Sequence, residues 1–78
     1  MSDEEIQALN QITAIIDEKA AKYKDERHHM PRARALAERE ALLKLIDDGL
    51  SLARNLRPPP ADLIRDFERL SSEFRRMA

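Results

Sequence analysis

The sequence contains no cysteine and no tryptophan, and its 78 residues include one glycine, one tyrosine and two phenylalanines. Without cysteine, disulfides and thiolate metal sites are excluded. β-Hairpins and sandwiches require turn glycines and strand aromatics, so these folds are not expected. No apolar run approaches the roughly 18 residues of a membrane-spanning helix. The absences favour a small helical protein.

The charge is nearly balanced but unevenly distributed. The net charge is −1, which disfavours general nucleic-acid binding because that function depends on neutralising phosphates. Residues 1–26 hold seven acidic side chains and three lysines, whereas residues 27–44 hold five basic and two acidic ones. The acidic start differs from a signal peptide, which begins with basic residues. We therefore expect a soluble, cytoplasmic protein with no membrane partner.

Apolar residues recur at helical spacing in the first third of the chain. Ser2 and Glu5 form a capping-box pattern, which predicts a helix from about residue 3 to about residue 27. The apolar face of this helix consists of Ile6, Leu9, Ile12, Ile16, Ala20 and Tyr23, with Ile15 widening it on one flank.

Prolines mark two corners. Pro31 suits the start of a second helix over about residues 32–55, and the run Pro58-Pro59-Pro60 separates it from a third over about 61–76. The apolar stripe of helix 3 is Leu63, Phe67, Leu70, Phe74 and Met77. Residues 1–78 are thus expected to form one all-α domain, an antiparallel hairpin plus a third amphipathic helix, assembled as an oligomeric helical bundle. Helix 3 can fold back on the hairpin or reach across to another subunit.

Helix 2 carries apolar residues over an arc too wide for one packing partner. A surface helix needs an apolar arc of about 100° or slightly more. The first seam contains Leu36, Leu43, Ile46, Leu50 and Ala53, and we expect it to contact helix 1. The second stripe contains Leu42, Leu45, Gly49, Leu52 and Leu56, and we assign it to helix 3, another subunit or a target. Gly49 indicates either a close helix crossing or, as the alternative, a kink or a tolerated weak position.

No catalytic constellation stands out, and we expect neither an enzyme nor a bound cofactor. The chain has no glycine-rich phosphate loop, no H-E-x-x-H motif and no serine in a strained G-x-S-x-G turn. His28 and His29 are adjacent and therefore diverge on a helix, so with Asp25 they do not complete a metal site. No metal site is predicted.

Basic residues cluster around the start of helix 2, where free N–H groups favour an anion. This basic corner consists of Arg27, His28, His29, Arg32 and Arg34. It could hold a phosphate, a nucleotide, an acidic protein surface or an RNA backbone, but the simpler interpretation is that it offsets the acidic helix 1 beside it, within the chain or across a subunit contact. Aromatic residues that stack on bases are missing apart from Tyr23, so nucleic acid is not the expected partner.

Two short stretches resemble a known group of phage proteins. They are Glu4-Glu5-Ile6 with Asn10 and Ile12, and Arg34, Leu36-Ala37, Leu43, Arg54 and Pro58. They look like small phage proteins that sequester cyclic nucleotides of the CBASS antiviral system. The resemblance implies a short helical protein that assembles and holds nucleotides between subunits. It covers about half of the chain and identifies no binding residue.

Two functional hypotheses follow. The first is a self-associating, non-enzymatic interaction module such as an adaptor, an inhibitor or a chaperone-like protein, with a second protein as a further partner. Its interface would use Leu42, Leu45, Gly49, Leu52, Leu56, Leu63, Phe67, Leu70 and Phe74. The second is an oligomeric nucleotide or anion sponge that binds at the basic corner.

Overall fold

A computed structural model describes residues 3–77, which form three α-helices and contain no strand. The helices are α1 (Asp3–Glu26), α2 (Arg32–Asn55) and α3 (Ala61–Arg76). The prediction of an all-helical chain is confirmed, and the helix boundaries agree with the predicted ones to within one residue. Ser2, the predicted cap of helix 1, lies outside the described residues.

The helix ends follow local chemistry. Acidic side chains occupy the first turn of α1, and Asp62 occupies the first turn of α3, where both complement the positive end of the helix dipole. Pro31 and Pro60 immediately precede α2 and α3, and neither provides a side-chain cap. The peptide bond between Arg57 and Pro58 in the second corner is cis.

Helix α2 packs against both other helices. Its pairing with α3 is antiparallel, because Arg54 near the end of α2 pairs with Glu68 at 3.1 Å, while Asp47 pairs with Arg75 at 4.0 Å. The expectation that helix 2 lies between two packing partners is therefore confirmed within this chain.

Helices α1 and α3 run parallel and meet through side chains near their C-terminal ends. The rings of Tyr23 and Phe74 are 5.6 Å apart at an interplanar angle of 61°, an edge-to-face arrangement. Lys24 pairs with Glu73 at 2.6 Å, and its ammonium lies 5.7 Å from the centre of the Phe74 ring. Helix 3 thus folds back on its own hairpin.

The core lies along the line where the three helices meet. Phe74, Ile16 and Ile46 are its largest fully buried side chains. The remaining buried apolar residues are Leu9, Ala20, Tyr23, Leu42, Leu50, Ala53, Leu56 and Phe67.

The two apolar rows of α2 face different helices from those predicted. Leu43 and Leu50 share a side of α2 with Asp47 and Arg54, since these residues are three, four or seven positions apart. Asp47 and Arg54 both pair with α3, so the first seam lies on the α3 side. The prediction that this seam contacts helix 1 is therefore wrong for Leu43 and Leu50, because the apolar pattern of α2 does not indicate which neighbouring helix covers which side.

The second stripe, which the sequence left to helix 3, another subunit or a target, has α1 as its neighbour at Leu42 and Leu45. These two leucines line a groove together with Lys19, Lys22 and Tyr23 of α1. At Gly49 the same stripe meets Phe67 of α3, so helix 3 is its neighbour at that position.

Leu36 is 52% exposed because α3 ends before reaching it. The guanidinium of Arg39, one turn further along α2, donates to the carbonyl oxygen of Met77 just beyond the end of α3. The first seam is therefore covered from Leu43 onward and uncovered at Leu36.

Gly49 marks the crossing of all three helices. A Cβ atom there would lie 2.9 Å from Cε2 of Phe67 in α3 and 3.4 Å from Cδ1 of Ile16 in α1. Of the two interpretations left open by the sequence, the structure supports the close crossing.

Candidate functional site

The α1–α2 hairpin has one face covered by α3 and another turned away from it. On α1, Lys24 pairs with α3, whereas Ile15, Lys19 and Lys22 lie at spacings of four and three residues on a different side. On α2, the groove-lining Leu45 continues one side of the helix to Leu52, seven residues on. We call this side of the hairpin the open face; it comprises Ile15, Lys19, Lys22, Glu26, Arg34, Glu38, Ala41, Leu45 and Leu52.

An apolar strip runs along the open face. Ile15 is 42% exposed, Ala41 is exposed, and Leu45 and Leu52 are half-buried. Leu45 and Leu52 pack partly against the core and keep part of their surface accessible. An exposed apolar patch of this kind is typical of an interaction site. The strip is therefore the first element of the candidate site.

A groove of about 310 Å³ lies at the end of this face nearest the first corner. Its floor is apolar, formed by the buried Tyr23 and Leu42 together with the half-buried Met30 and Leu45. Its other lining residues are Lys19, Lys22, Glu26, Arg34, Glu38 and Ala41. The groove thus combines an apolar floor with charged side chains of both signs.

The charged side chains around the groove have no ionic partner among residues 3–77. These five side chains are Lys19, Lys22, Glu26, Arg34 and Glu38, and all are exposed. The interhelical charges on the α3 side behave differently: the carboxylates of Glu68, Glu73 and Asp47 each meet a cation on another helix. The groove therefore presents charges that are free to pair with something outside the chain.

The members of the basic corner differ in their position relative to the groove. Arg27 is half-buried, and its Nε–H donates to Nε2 of His28 at 3.4 Å. His28, His29 and Arg32 are exposed, and none of them lines the groove. Arg34 is the one member of the corner that does.

The predicted interface residues divide by accessibility. Leu42, Gly49, Leu56, Phe67 and Phe74 are buried within the chain and are core residues. Leu45, Leu52, Leu63 and Leu70 remain half-buried, the first two on the open face. Leu63 and Leu70 line a smaller cavity of about 220 Å³ with Thr13 and Asp17 of α1.

Sequence reasoning missed Lys19 and Lys22 as site residues. Both belong to an acidic-rich segment, so their positive charge was hidden in the sum over residues 1–26. Their spacing of three residues placed them on one side of helix 1 beside Ile15. In an antiparallel hairpin this side of helix 1 lies beside the part of helix 2 that contains Arg34. The predicted hairpin was therefore enough to place the two lysines near Arg34.

Residues 3–77 show neither a metal-binding cluster nor a membrane-spanning segment. No three side chains of His, Cys, Asp or Glu within this range are grouped to hold a metal ion. None of the three described helices is both long enough and apolar enough to cross a membrane.

Comparison with models of known families, with curated proteins and with solved structures finds no match to this chain. The candidate site is therefore argued from its geometry alone.

Proposed function

We propose that this chain is a non-enzymatic helical interaction module that binds protein through its open face and self-associates there. Adaptor, inhibitor and chaperone-like roles are the classes that such a module serves. The single observation that carries the proposal is the apolar strip of Ile15, Leu45 and Leu52 beside a groove whose charges have no partner within residues 3–77.

The physical support is the contrast between these side chains and the rest of the chain. A 78-residue chain buries only about 60% of its unfolded surface, so its core is small. Burying the exposed apolar side chains against a partner would therefore add hydrophobic free energy, at about 25 cal/mol for each Å² of apolar surface. A partner on the open face recovers this contribution.

A nucleotide or anion sponge is the second candidate, and three groove residues favour it. Lys19, Lys22 and Arg34 surround a cavity of about 310 Å³, which is at the lower end of small-molecule sites. Two carboxylates, those of Glu26 and Glu38, line the same cavity and repel an anion. This second candidate therefore has weaker electrostatic support than protein binding. An Arg34→Ala variant that abolished nucleotide-induced thermal stabilisation would favour it.

The test of the first candidate introduces charge into the apolar strip. We expect Leu45→Glu and Leu52→Glu to lower the solution mass measured by sedimentation velocity, because a partner's apolar surface would have to desolvate the new carboxylate. Circular dichroism should show unchanged helicity, since both positions are half-buried at the surface.

The matched control is Leu36→Glu, the same substitution on the same helix at a position beside the end of α3. Leu36 is 52% exposed and lies on the other side of α2, so this variant should keep the mass of the native chain. An identical mass for all three variants and the native chain would contradict the proposal.

A further inference from the structure

We propose that the occupant of the open face is a second copy of this chain, related by a two-fold axis parallel to the helices. In this arrangement α1 of each copy packs against α2 of the other, and the groove charges pair between copies. The inference rests on the proposed function, which includes self-association, and adds the two-fold symmetry and the register of the contacts between copies.

The size of the open face fits a small dimer interface. From Arg34 to Leu52 it extends over about 27 Å of α2, and it is roughly 20 Å across the two helices. This footprint of roughly 540 Å² is below the value of about 800 Å² that each partner buries in a standard stable complex, so we expect a weak dimer. The apolar strip through Ile15, Leu45 and Leu52 runs along this face and would form the centre of the contact.

The groove charges are ordered along the two helices. Going toward the first corner, α1 presents Lys19, then Lys22, then Glu26. Going away from the corner, α2 presents Arg34 and then Glu38. Because the hairpin is antiparallel, Glu26 lies at the level of Arg34, and Lys22 lies near the level of Glu38. At each level the two helices therefore carry opposite charges.

A two-fold interface brings the same patch together from both subunits, so the patch has to be complementary to itself. Rotation about an axis parallel to the helices leaves each residue at its height along the axis. It places α1 of one copy opposite α2 of the other. Glu26 then faces Arg34 of the second copy, and Lys22 faces Glu38 of the second copy. Each pair occurs twice, so four of the five charged side chains that line the groove gain an ionic partner from the second copy.

The mixture of positive and negative charges around the groove favours a second copy over an anionic partner. An anionic ligand or a phosphate backbone would meet Glu26 and Glu38, whose carboxylates line the groove. An acidic protein surface would meet the same two carboxylates. A second copy is complementary to both signs because it carries both.

The decisive experiment uses two chains with groove charges of one sign. The acidic chain carries Lys19→Glu, Lys22→Glu and Arg34→Glu, and the basic chain carries Glu26→Lys and Glu38→Lys. Sedimentation velocity is measured on each chain alone and on an equimolar mixture, at low and at high salt. Circular dichroism confirms that each chain is helical.

We expect each chain alone to self-associate at least about tenfold more weakly than the native protein, because like charges face each other across the two-fold. The mixture should regain the dimer mass, and high salt should weaken the mixed dimer by screening the pairs. Pairing within one hairpin cannot produce this result, since mixing does not change it. The control is a chain with Lys44→Glu and Glu18→Lys, two exposed changes off the open face, which should associate like the native protein.

Native-like association of the acidic and basic chains alone, or a mixture that stays monomeric, would overturn the inference. If those results occur while Leu45→Glu still dissociates the native assembly, the proposed function stands and only the charge register fails. If the native chain is itself a monomer, both fail. Should the multiply substituted chains lose helicity, the single variants Lys22→Glu and Glu38→Lys give the same test, since only their mixture restores opposite charges at that level.

Discussion

The two faces of the α1–α2 hairpin use the same two helices in different ways. On the α3 side, Tyr23 meets Phe74 edge-to-face, and Lys24 pairs with Glu73 on a neighbouring helix. On the open face, Ile15 is 42% exposed, and the groove charges have no ionic partner in residues 3–77. On the covered face these aromatic and charged groups meet partners within the chain, whereas on the open face the groove charges do not.

The difference shows that α3 covers only one of the two faces of the α1–α2 hairpin. α3 has 16 residues against 24 in each of the other helices, and it covers one side of them. The wide apolar arc of α2 packs against α1 and α3 within the chain, and we propose that its outer edge at Leu45 and Leu52 contacts a second copy.

The largest difference between the faces should appear when a large side chain is removed from each. Phe74 is fully buried, and Phe74→Ala should lower the free energy of unfolding by about 3–5 kcal/mol because it leaves a cavity. Leu45→Ala, at a half-buried position on the open face, should cost clearly less. Urea denaturation at one fixed protein concentration measures both, and equal costs would remove the distinction between the faces.

A smaller effect is expected at the helix crossing on the covered side. A Cβ at position 49 would lie 2.9 Å from Cε2 of Phe67, whose ring is buried and cannot move aside freely. Gly49→Ala should therefore destabilise the fold by about 1–2 kcal/mol, the overpacking cost exceeding the gain in helix propensity of about 1 kcal/mol.

The companion variant removes the clashing ring atoms. In Gly49→Ala with Phe67→Leu, the cost of the alanine measured against Phe67→Leu alone should fall toward zero or change sign. An unchanged cost would show that the crossing does not limit position 49.

The smallest effect should come from the exposed ion pair that joins α1 to α3. Lys24 and Glu73 are each more than 40% exposed in their side chains, at 44% and 41%, so Lys24→Gln should cost about 0.2–1 kcal/mol. In a double-mutant cycle with Glu73→Gln, the coupling should fall with added salt. A coupling energy well above 1 kcal/mol would contradict this prediction, because it would show that the ion pair stabilises the fold more than an exposed pair does.

Much of the fold could be predicted from the sequence because its signals are local. Prolines at positions 31 and 58–60 fix the corners, and apolar residues at helical spacing fix the buried faces of the helices. The rotation of α2 between its neighbours could not be predicted in this way. The ion pairs of Asp47 and Arg54 with α3 report this rotation, and such pairs join residues far apart in the sequence.

The candidate site was less predictable than the fold. The basic corner was proposed from adjacency along the chain, yet only Arg34 reaches the groove. The groove is formed by residues on two antiparallel helices, so its lysines come from the acidic segment of α1. Adjacency in sequence thus predicted the charge of the corner but missed the side chains that the hairpin brings across from α1.

The most direct test of self-association through the open face is the solution mass of the native chain from micromolar to millimolar concentration. We predict a mass that rises to twice the 9.0 kDa of one chain, and a Leu45→Glu variant that remains at the single-chain mass over the same range. A native mass that stays at 9.0 kDa throughout would contradict the account.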